Sequence, residues 1–104
     1  MYRMFYGCSS LREINFNSFK TDNVTMMKEM FSYCSSLKEL NLSSFNTQNV
    51  NDMELMFHHC SSLKKLNLSN FNINNVTNMK GMFASCSKKL INKNQNKFKV
   101  EAFK

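Results

Sequence analysis

The side chains of this sequence that are best suited to chemistry belong to its cysteines and histidines. The cysteines recur at a constant interval of 26 residues, and they are Cys8, Cys34, Cys60 and Cys86. This interval differs from the C-x-x-C spacing of zinc and redox sites. We therefore predict small buried side chains that line one column of the core. Disulfides between neighbouring copies are the alternative, which the parallel direction of equivalent side chains disfavours.

His58 and His59 stand directly before Cys60, which raises the alternatives of a nucleophile with its base or a zinc site. Neighbouring residues on a helix point about 100° apart, so these side chains would not converge. The other copies place Tyr6 and Gly7, Ser32 and Tyr33, or Ala84 and Ser85 there, and such variability indicates exposed surface. We predict no enzyme activity, no catalytic residues, no metal and no cofactor. A thiol or metal enzyme stays the weaker alternative.

The spacing of the cysteines belongs to a 26-residue repeat that spans most of the chain. The copies, which we call units 1 to 4, begin at Met4, Met30, Met56 and Met82 without insertions. Units 2 and 3 agree at 16 of 26 positions, and unit 4 breaks off after Ser87. The pattern predicts a repeat domain over residues 1–87 and a basic tail or irregular cap over residues 88–104.

Each unit contains two hydrophobic patterns that predict different local structures. The alternation in Leu40-Asn41-Leu42 is typical of a half-buried strand. A second set recurs at steps of three and four, the spacing of one helical face. In the second set are Val50, Met53, Met56, Phe57 and Cys60. Each unit is therefore predicted to be a short strand, a turn, a short helix and a second turn.

The predicted helices begin after polar residues that could cap them. Thr25, Asn51 and Thr77 stand at the N-cap position, and Asn51 with Glu54 matches a capping box. Asparagines precede these caps at Asn23, Asn49 and Asn75. We expect their side chains to hydrogen-bond the turn backbone between units, where no strand ladder reaches.

One unit cannot bury its own apolar side chains, whereas consecutive units placed side by side can. We expect their strands to pair in parallel about 4.8 Å apart, with Leu40 beside Leu66. The expected core columns are Leu11, Leu37 and Leu63; Ile14, Leu40 and Leu66; Phe16, Leu42 and Leu68; and Met27, Met53 and Met79. Phe19, Phe45 and Phe71 are expected to stack as a separate aromatic column.

The sequence CSSLKELNLSSFNTQNV, with the Met-x-x-Met-Phe that follows it, resembles the repeat of BspA-like bacterial surface proteins. The resemblance covers residues 4–87 and adds a leucine-rich-repeat-like character to the fold. The predicted fold class is α/β, a leucine-rich-repeat-like solenoid of about 3.5 coils with a parallel strand ladder on one face and short helices on the other. The resemblance further implies a cell-surface or extracellular location, often on lipoproteins, with roles in adhesion and no catalytic residues.

The net charge of +7 is distributed unevenly along the chain. Residues 1–87 hold eight basic and six acidic side chains, whereas residues 88–104 hold six lysines against Glu101. Because a basic tail is usually solvated, we expect no specific nucleic-acid binding. No apolar run is long enough for a membrane span, and the first ten residues lack the apolar stretch of a secretory signal.

The residues that flank the core positions of the strands are free to meet a partner. The predicted binding face consists of Arg12, Glu13, Asn15, Lys38, Glu39, Asn41, Lys64, Lys65 and Asn67. We expect it to be the concave face, which repeat proteins use for binding. The predicted function is a non-catalytic module for surface display, adhesion or protein–protein interaction, with a protein or host cell-surface ligand as partner. A merely solvated face, a truncated remnant without independent function, and end-to-end self-association of the chain stay open.

Overall fold

A computed structural model describes all 104 residues, which occupy 31 × 28 × 21 Å. Regular secondary structure is sparse. Unit 2 contains the strand β1 (Glu39–Asn41), and unit 3 contains β2 (Lys65–Asn67). The tail contains the helix α1 (Lys88–Asn94) and a 3-10 helix (Val100–Phe103). Almost all of the remaining chain consists of turns and irregular segments.

The two strands confirm the predicted neighbour relation between units 2 and 3. They pair in parallel, with Glu39 opposite Lys65 and Leu40 opposite Leu66. Isolated parallel bridges join Asp52 to Met26 in unit 1 and to Asn78 in unit 3. Consecutive units therefore lie side by side, with equivalent residues adjacent.

The predicted α/β fold, a solenoid of about 3.5 strand-and-helix coils, is wrong. The sheet consists of two strands of three residues each, and neither unit 1 nor unit 4 contributes a strand. The α-helix lies in the tail, so Thr25, Asn51 and Thr77 cap no helix. The capping box of Asn51 and Glu54 is likewise absent, because the Glu54 N–H is bonded to the Asp52 side chain instead.

The backbone hydrogen bonds explain why the stripe of helical spacing forms no helix. We call residues 1–8, 27–34, 53–60 and 79–86 the Met-Phe segments. Within them, alternate N–H groups point in different directions: the Ser32 N–H donates to Glu29 O in its own turn at 3.2 Å, whereas the Phe31 N–H donates to Met56 O of the next unit at 2.9 Å. A helix would need every N–H for the carbonyl four residues earlier. Bonding between units therefore excludes helical bonding within them.

A second feature of the Met-Phe segments also excludes a helix. Two positions in each Met-Phe segment, four residues apart, have left-handed backbone with φ between 55° and 72°. The first set is Arg3, Glu29, Leu55 and Gly81, and the second is Gly7, Tyr33, His59 and Ser85. Because a left-handed residue terminates a helix, each Met-Phe segment is a succession of turns.

The core is a single cluster of 24 buried apolar residues that runs through all four units. Its centre is a stack of rings in the order Phe5, Phe31, Phe57, Phe83 and Phe103, with centroid separations of 5.4 to 5.6 Å. Phe45 and Phe71 are buried as expected, but the stacked column runs through the Met-Phe segments instead. These separations lie in the favourable range for aromatic pairs.

Other packing predictions are confirmed by the structure. The side chains of Met27, Met53 and Met79 are at most 1% exposed. The Asn75 side chain donates to Gln48 O at 2.8 Å, as the equivalent Asn49 does to the preceding unit. A further polar link was not predicted: the buried Thr47 hydroxyl donates to Asn72 O at 3.0 Å and accepts from the Asn72 N–H at 2.8 Å.

The tail closes the end of unit 4. Its carbonyl groups accept the hydrogen bonds that a further unit would accept, from Gly81 N to Glu101 O at 2.8 Å and from Phe83 N to Ala102 O at 2.6 Å. Phe103 supplies the last ring of the stack. Residues 99–103 thus act as a substitute for the next Met-Phe segment.

The ring stack predicts a graded cost of removing rings. Phe57 is fully buried between two rings, whereas Phe5 is half-buried and stacks on Phe31 alone. We expect Phe57→Ala to lower the free energy of unfolding by about 3 to 5 kcal/mol. Phe5→Ala, the matched control, should cost about half as much or less. Equal losses in urea unfolding would contradict the stack as the centre of the core.

The two glycines predict a second graded effect. Both have left-handed backbone, but an added Cβ at Gly81 would meet Leu55 Cδ2 at 2.7 Å, whereas one at Gly7 would meet nothing within 4 Å. Gly7→Ala should therefore cost only the left-handed strain, about 1 to 2 kcal/mol. Gly81→Ala should cost more, because Leu55 must also move. Thermal unfolding of the two variants checks this order, and a reversed order would contradict it.

Candidate functional site

The structure places all nine residues of the predicted binding face at the surface. Residues of β1 and β2 that flank Leu40 and Leu66 point away from the core, since successive strand residues point to opposite sides. We call the nine-residue surface the strand face. It extends over units 1, 2 and 3, because equivalent residues of neighbouring units are adjacent.

An open concavity of about 620 Å³ lies on the strand face. Its charged lining comes from Glu13, Glu39 and Lys65, and from Lys93 of α1. Its remaining lining consists of Ile14, Leu40, Asn41, Ser43, Leu66 and Asn67. Leu40 is buried and Ile14 and Leu66 are only partly exposed, so charged and polar side chains make up most of the exposed lining.

The three asparagines of the strand face have a structural role that was not predicted from the sequence. The Oδ1 atoms of Asn15, Asn41 and Asn67 accept hydrogen bonds from backbone N–H groups two residues later at 2.9 to 3.1 Å. Such bonds stabilise the turn that follows the strand. In units 1 to 3 an asparagine is followed two residues later by serine or asparagine. This recurring pattern is the sequence feature that could have predicted the turn. The carboxamide nitrogens remain for a partner.

The charged groups of the strand face are unpaired. Glu39 and Lys65 are opposite each other in the strand register but form no ion pair. Both intramolecular ion pairs belong to the Met-Phe segments, where Arg3 pairs with Glu29 and Lys28 with Glu54. The Lys28 ammonium hydrogen-bonds Glu54 and holds the pKa of that carboxyl below its usual value. The charges of the strand face are therefore available to a partner.

The charged lining of the concavity changes from acidic to basic along the row of units. Glu13 and Glu39 lie in units 1 and 2, whereas Lys65 lies in unit 3 and Lys93 in the tail. Lys93 was absent from the predicted face because the tail lacks the repeat pattern. Its position depends on α1, whose N-cap Ser87 accepts a hydrogen bond from the Leu90 N–H at 3.3 Å.

Two of the four cysteines are buried as the sequence predicted, whereas Cys8 and Cys86 are only partly buried, and none forms a disulfide. Cys34 and Cys60 are fully buried, and their thiols donate to Phe5 O and Phe31 O at 3.1 Å. Burial raises the pKa of Cys34 to about 11, that of Cys86 to about 12, and that of Cys60 further still. Thiolate chemistry at these sites is therefore strongly disfavoured at neutral pH.

The histidines form part of a small aromatic cluster beside the core. The His59 ring stacks on Tyr33 at 4.7 Å, and His58 meets His59 edge-on at 4.3 Å. Burial and the neighbouring His59 lower the pKa of His58. No three side chains of the types that bind metals gather in the structure.

Together, the fold and the strand face define a class of protein built from short turn-rich repeats joined edge to edge by backbone hydrogen bonds. The chain belongs to the family described as “Mycoplasma protein of unknown function, DUF285”, which it matches over residues 1–104. Neither the curated proteins nor the solved structures gave a match to the chain. The two helices have seven and four residues, so neither could cross a bilayer.

The burial of the thiols predicts their order of reaction with a maleimide at pH 8. Raising the Cys34 pKa from 9.0 to about 11 reduces its thiolate fraction about 100-fold, and burial slows access further. Cys34 and Cys60 should therefore react at least about 100-fold more slowly than half-buried Cys8. In urea all four should react alike. A fast thiol at Cys60 in the folded protein would revive the thiol-enzyme alternative.

Proposed function

We propose that this protein is a non-catalytic interaction module that binds a protein partner through the strand face while displayed at the cell surface. The observation that carries the proposal is the set of unpaired charged side chains in register around the open concavity. Charged groups that lack an internal partner can form complementary pairs with another protein, which governs specificity and the rate of association.

The charges of the face indicate the chemistry of the partner. The strand face and the lining of its concavity together hold two acidic side chains, Glu13 and Glu39, and five basic ones. The basic side chains are Arg12, Lys38, Lys64, Lys65 and Lys93. A predominantly acidic protein surface would complement this face. Binding through exposed charges should weaken as salt is added, because a Debye length is about 8 Å at physiological ionic strength.

The size of the face indicates that binding depends on several copies. A stable interface buries about 800 Å² on each partner, which is more than two strands of three residues can provide. Display of many copies on one surface would raise the effective affinity without new contacts. The resemblance to BspA-like repeats supports the same setting, since it implies surface display and adhesion.

Adhesion through the strand face predicts a charge-specific loss of binding. Beads coated with the protein should adhere to a monolayer of cultured epithelial cells more than uncoated beads do. Reversal of charge in the double variant Lys65→Glu/Lys93→Glu should lower adhesion at least about ten-fold, because like charges would then meet the acidic partner. The variant Lys20→Glu/Lys104→Glu changes the net charge equally at exposed positions outside the concavity and should adhere normally.

The outcomes separate the parts of the proposal. Equal losses in both double variants would contradict the strand face, and adhesion no greater than that of uncoated beads would contradict the adhesive function. Surface display is tested on intact producing cells, where mild trypsin treatment should remove the protein. A protein protected until the cells are lysed would contradict display.

A further inference from the structure

The small sheet of the strand face has an unpaired edge at β2. The Lys64 and Lys65 N–H groups donate to Lys38 O of unit 2, at 3.0 and 3.3 Å. Because backbone groups alternate between the two edges of a strand, Lys64 O and both backbone groups of Leu66 point away from β1. We call these three groups, Lys64 O, Leu66 N–H and Leu66 O, the β2 edge.

The groups of the β2 edge have no partner in the folded chain. In unit 2 the equivalent carbonyl, Lys38 O, accepts bonds from unit 3, whereas Lys64 O accepts none. The place where a further strand would lie is beside α1, a helix that does not pair with the two-stranded sheet. A strand edge with unpaired donors and acceptors is a template for another strand.

The tail is attached to unit 3 on both sides of the β2 edge and leaves the edge itself free. The Ser87 hydroxyl donates to Leu63 O at 3.4 Å, and the Lys97 ammonium group donates to Leu68 O. Between these two attachments, the concavity of the strand face extends from β2 to Lys93 of α1. The space beside the edge is therefore bounded by unit 3 on one side and by the tail on the other.

Side-chain burial also shows that the position beside β2 is uncovered. Leu40 of β1, which has β2 beside it, is 3% exposed. Leu66, the equivalent residue of β2, is partly exposed although it lies in the same register. A strand added beside β2 would bring a side chain next to Leu66, and such cross-strand contacts stabilise a sheet.

The charged lining of the concavity on this side is basic. Lys65 of β2 and Lys93 of α1 lie on either side of the uncovered position, and Lys64 directly precedes β2. All three side chains are exposed, and none forms an ion pair. The acidic lining residues, Glu13 and Glu39, belong to units 1 and 2. A segment that fits beside β2 therefore carries acidic side chains.

We propose that the β2 edge binds an extended acidic segment of the partner protein as a third, parallel strand of the sheet. The inference rests on the proposed function, because it states how the partner of the strand face is held. Two N–H groups of the segment, two residues apart, donate to Lys64 O and Leu66 O, and the carbonyl group between them accepts from the Leu66 N–H. Acidic side chains of the segment meet Lys65 and Lys93. In such strand addition, backbone bonds supply affinity and alternate side chains supply specificity.

The test uses a fluorescein-labelled peptide with the sequence of residues 36–43 in which Lys38 is replaced by glutamate. This peptide keeps the alternating pattern of the strands and carries two glutamates beside each other. Added to the full-length protein, it should show saturable binding by fluorescence anisotropy. The affinity should fall as salt is added, because exposed charges are screened.

Methylation of single backbone nitrogens in the peptide provides matched controls. In the register of β1 with β2, the peptide N–H of Asn41 points to Leu66 O, whereas that of Leu40 points away from the protein. N-methylation at Asn41 should weaken binding at least about ten-fold, because a methyl group replaces the hydrogen bond and collides with its acceptor. N-methylation at Leu40 removes no bond to the protein and should change the affinity less than about two-fold.

Two measurements on the protein locate the bound peptide. Hydrogen exchange followed by NMR should slow at the Leu66 N–H when the peptide binds, whereas the Lys65 N–H, already bonded to Lys38 O, should change little. The variant Leu66→Pro removes the donor and should weaken binding at least about ten-fold. Proline is tolerated where the N–H of an edge strand points outward, and circular dichroism checks the fold.

Any of three results overturns the inference: no saturable binding, equal binding of the two methylated peptides, or unchanged exchange of the Leu66 N–H with the peptide bound. These failures are distinct from failure of the proposed function. Adhesion that depends on the strand-face charges, together with equal binding of the methylated peptides, would refute strand addition alone. Selective loss on methylation at Asn41, together with no adhesion of coated beads, would refute the adhesive function alone.

Discussion

The structure depends on hydrogen bonds between equivalent backbone positions of neighbouring units. In each Met-Phe segment, alternate N–H groups bond to carbonyls of the next unit, and the remaining N–H groups close turns within the segment. Buried backbone groups must form hydrogen bonds, and these two sets of bonds use the N–H groups that a helix would need. The left-handed residues at Glu29 and Tyr33, and their equivalents, orient the N–H groups outward. The ring stack follows, since the same spacing places each phenylalanine on the next.

The same constraint explains the strand face. Equivalent residues of adjacent units are held in register, so charges that are 26 positions apart in sequence become neighbours. The turn after each strand is stabilised by the side chain of the preceding asparagine, which sets the direction in which the chain leaves the face. The face is therefore a product of the junctions between units, and a single unit would not present it.

The tail shows how strongly each unit depends on a neighbour. The tail has no repeat pattern, yet it supplies Glu101 O, Ala102 O and the Phe103 ring where a further unit would supply the same groups. The basic side chains of the tail are therefore not all solvated. Lys97 donates a hydrogen bond to Leu68 O, and burial lowers the pKa of its ammonium group.

The 26-residue period by itself determined which residues become neighbours. From the period alone, Leu40 was predicted beside Leu66, Met53 and Cys60 in the core, and the Asn49 and Asn75 side chains at the turns between units, and the structure has all of these. Local conformation was decided by the tertiary structure, because a helix and a succession of four-residue turns both bury every third or fourth side chain. Bonds to the adjacent unit satisfy the backbone of the turns and stabilise left-handed residues such as Tyr33, which hydrophobic spacing cannot reveal. The tertiary structure also decided that Lys93 lines the concavity and that Phe103 extends the ring stack. The tail has no repeat pattern, so its position depends on the surface that it covers.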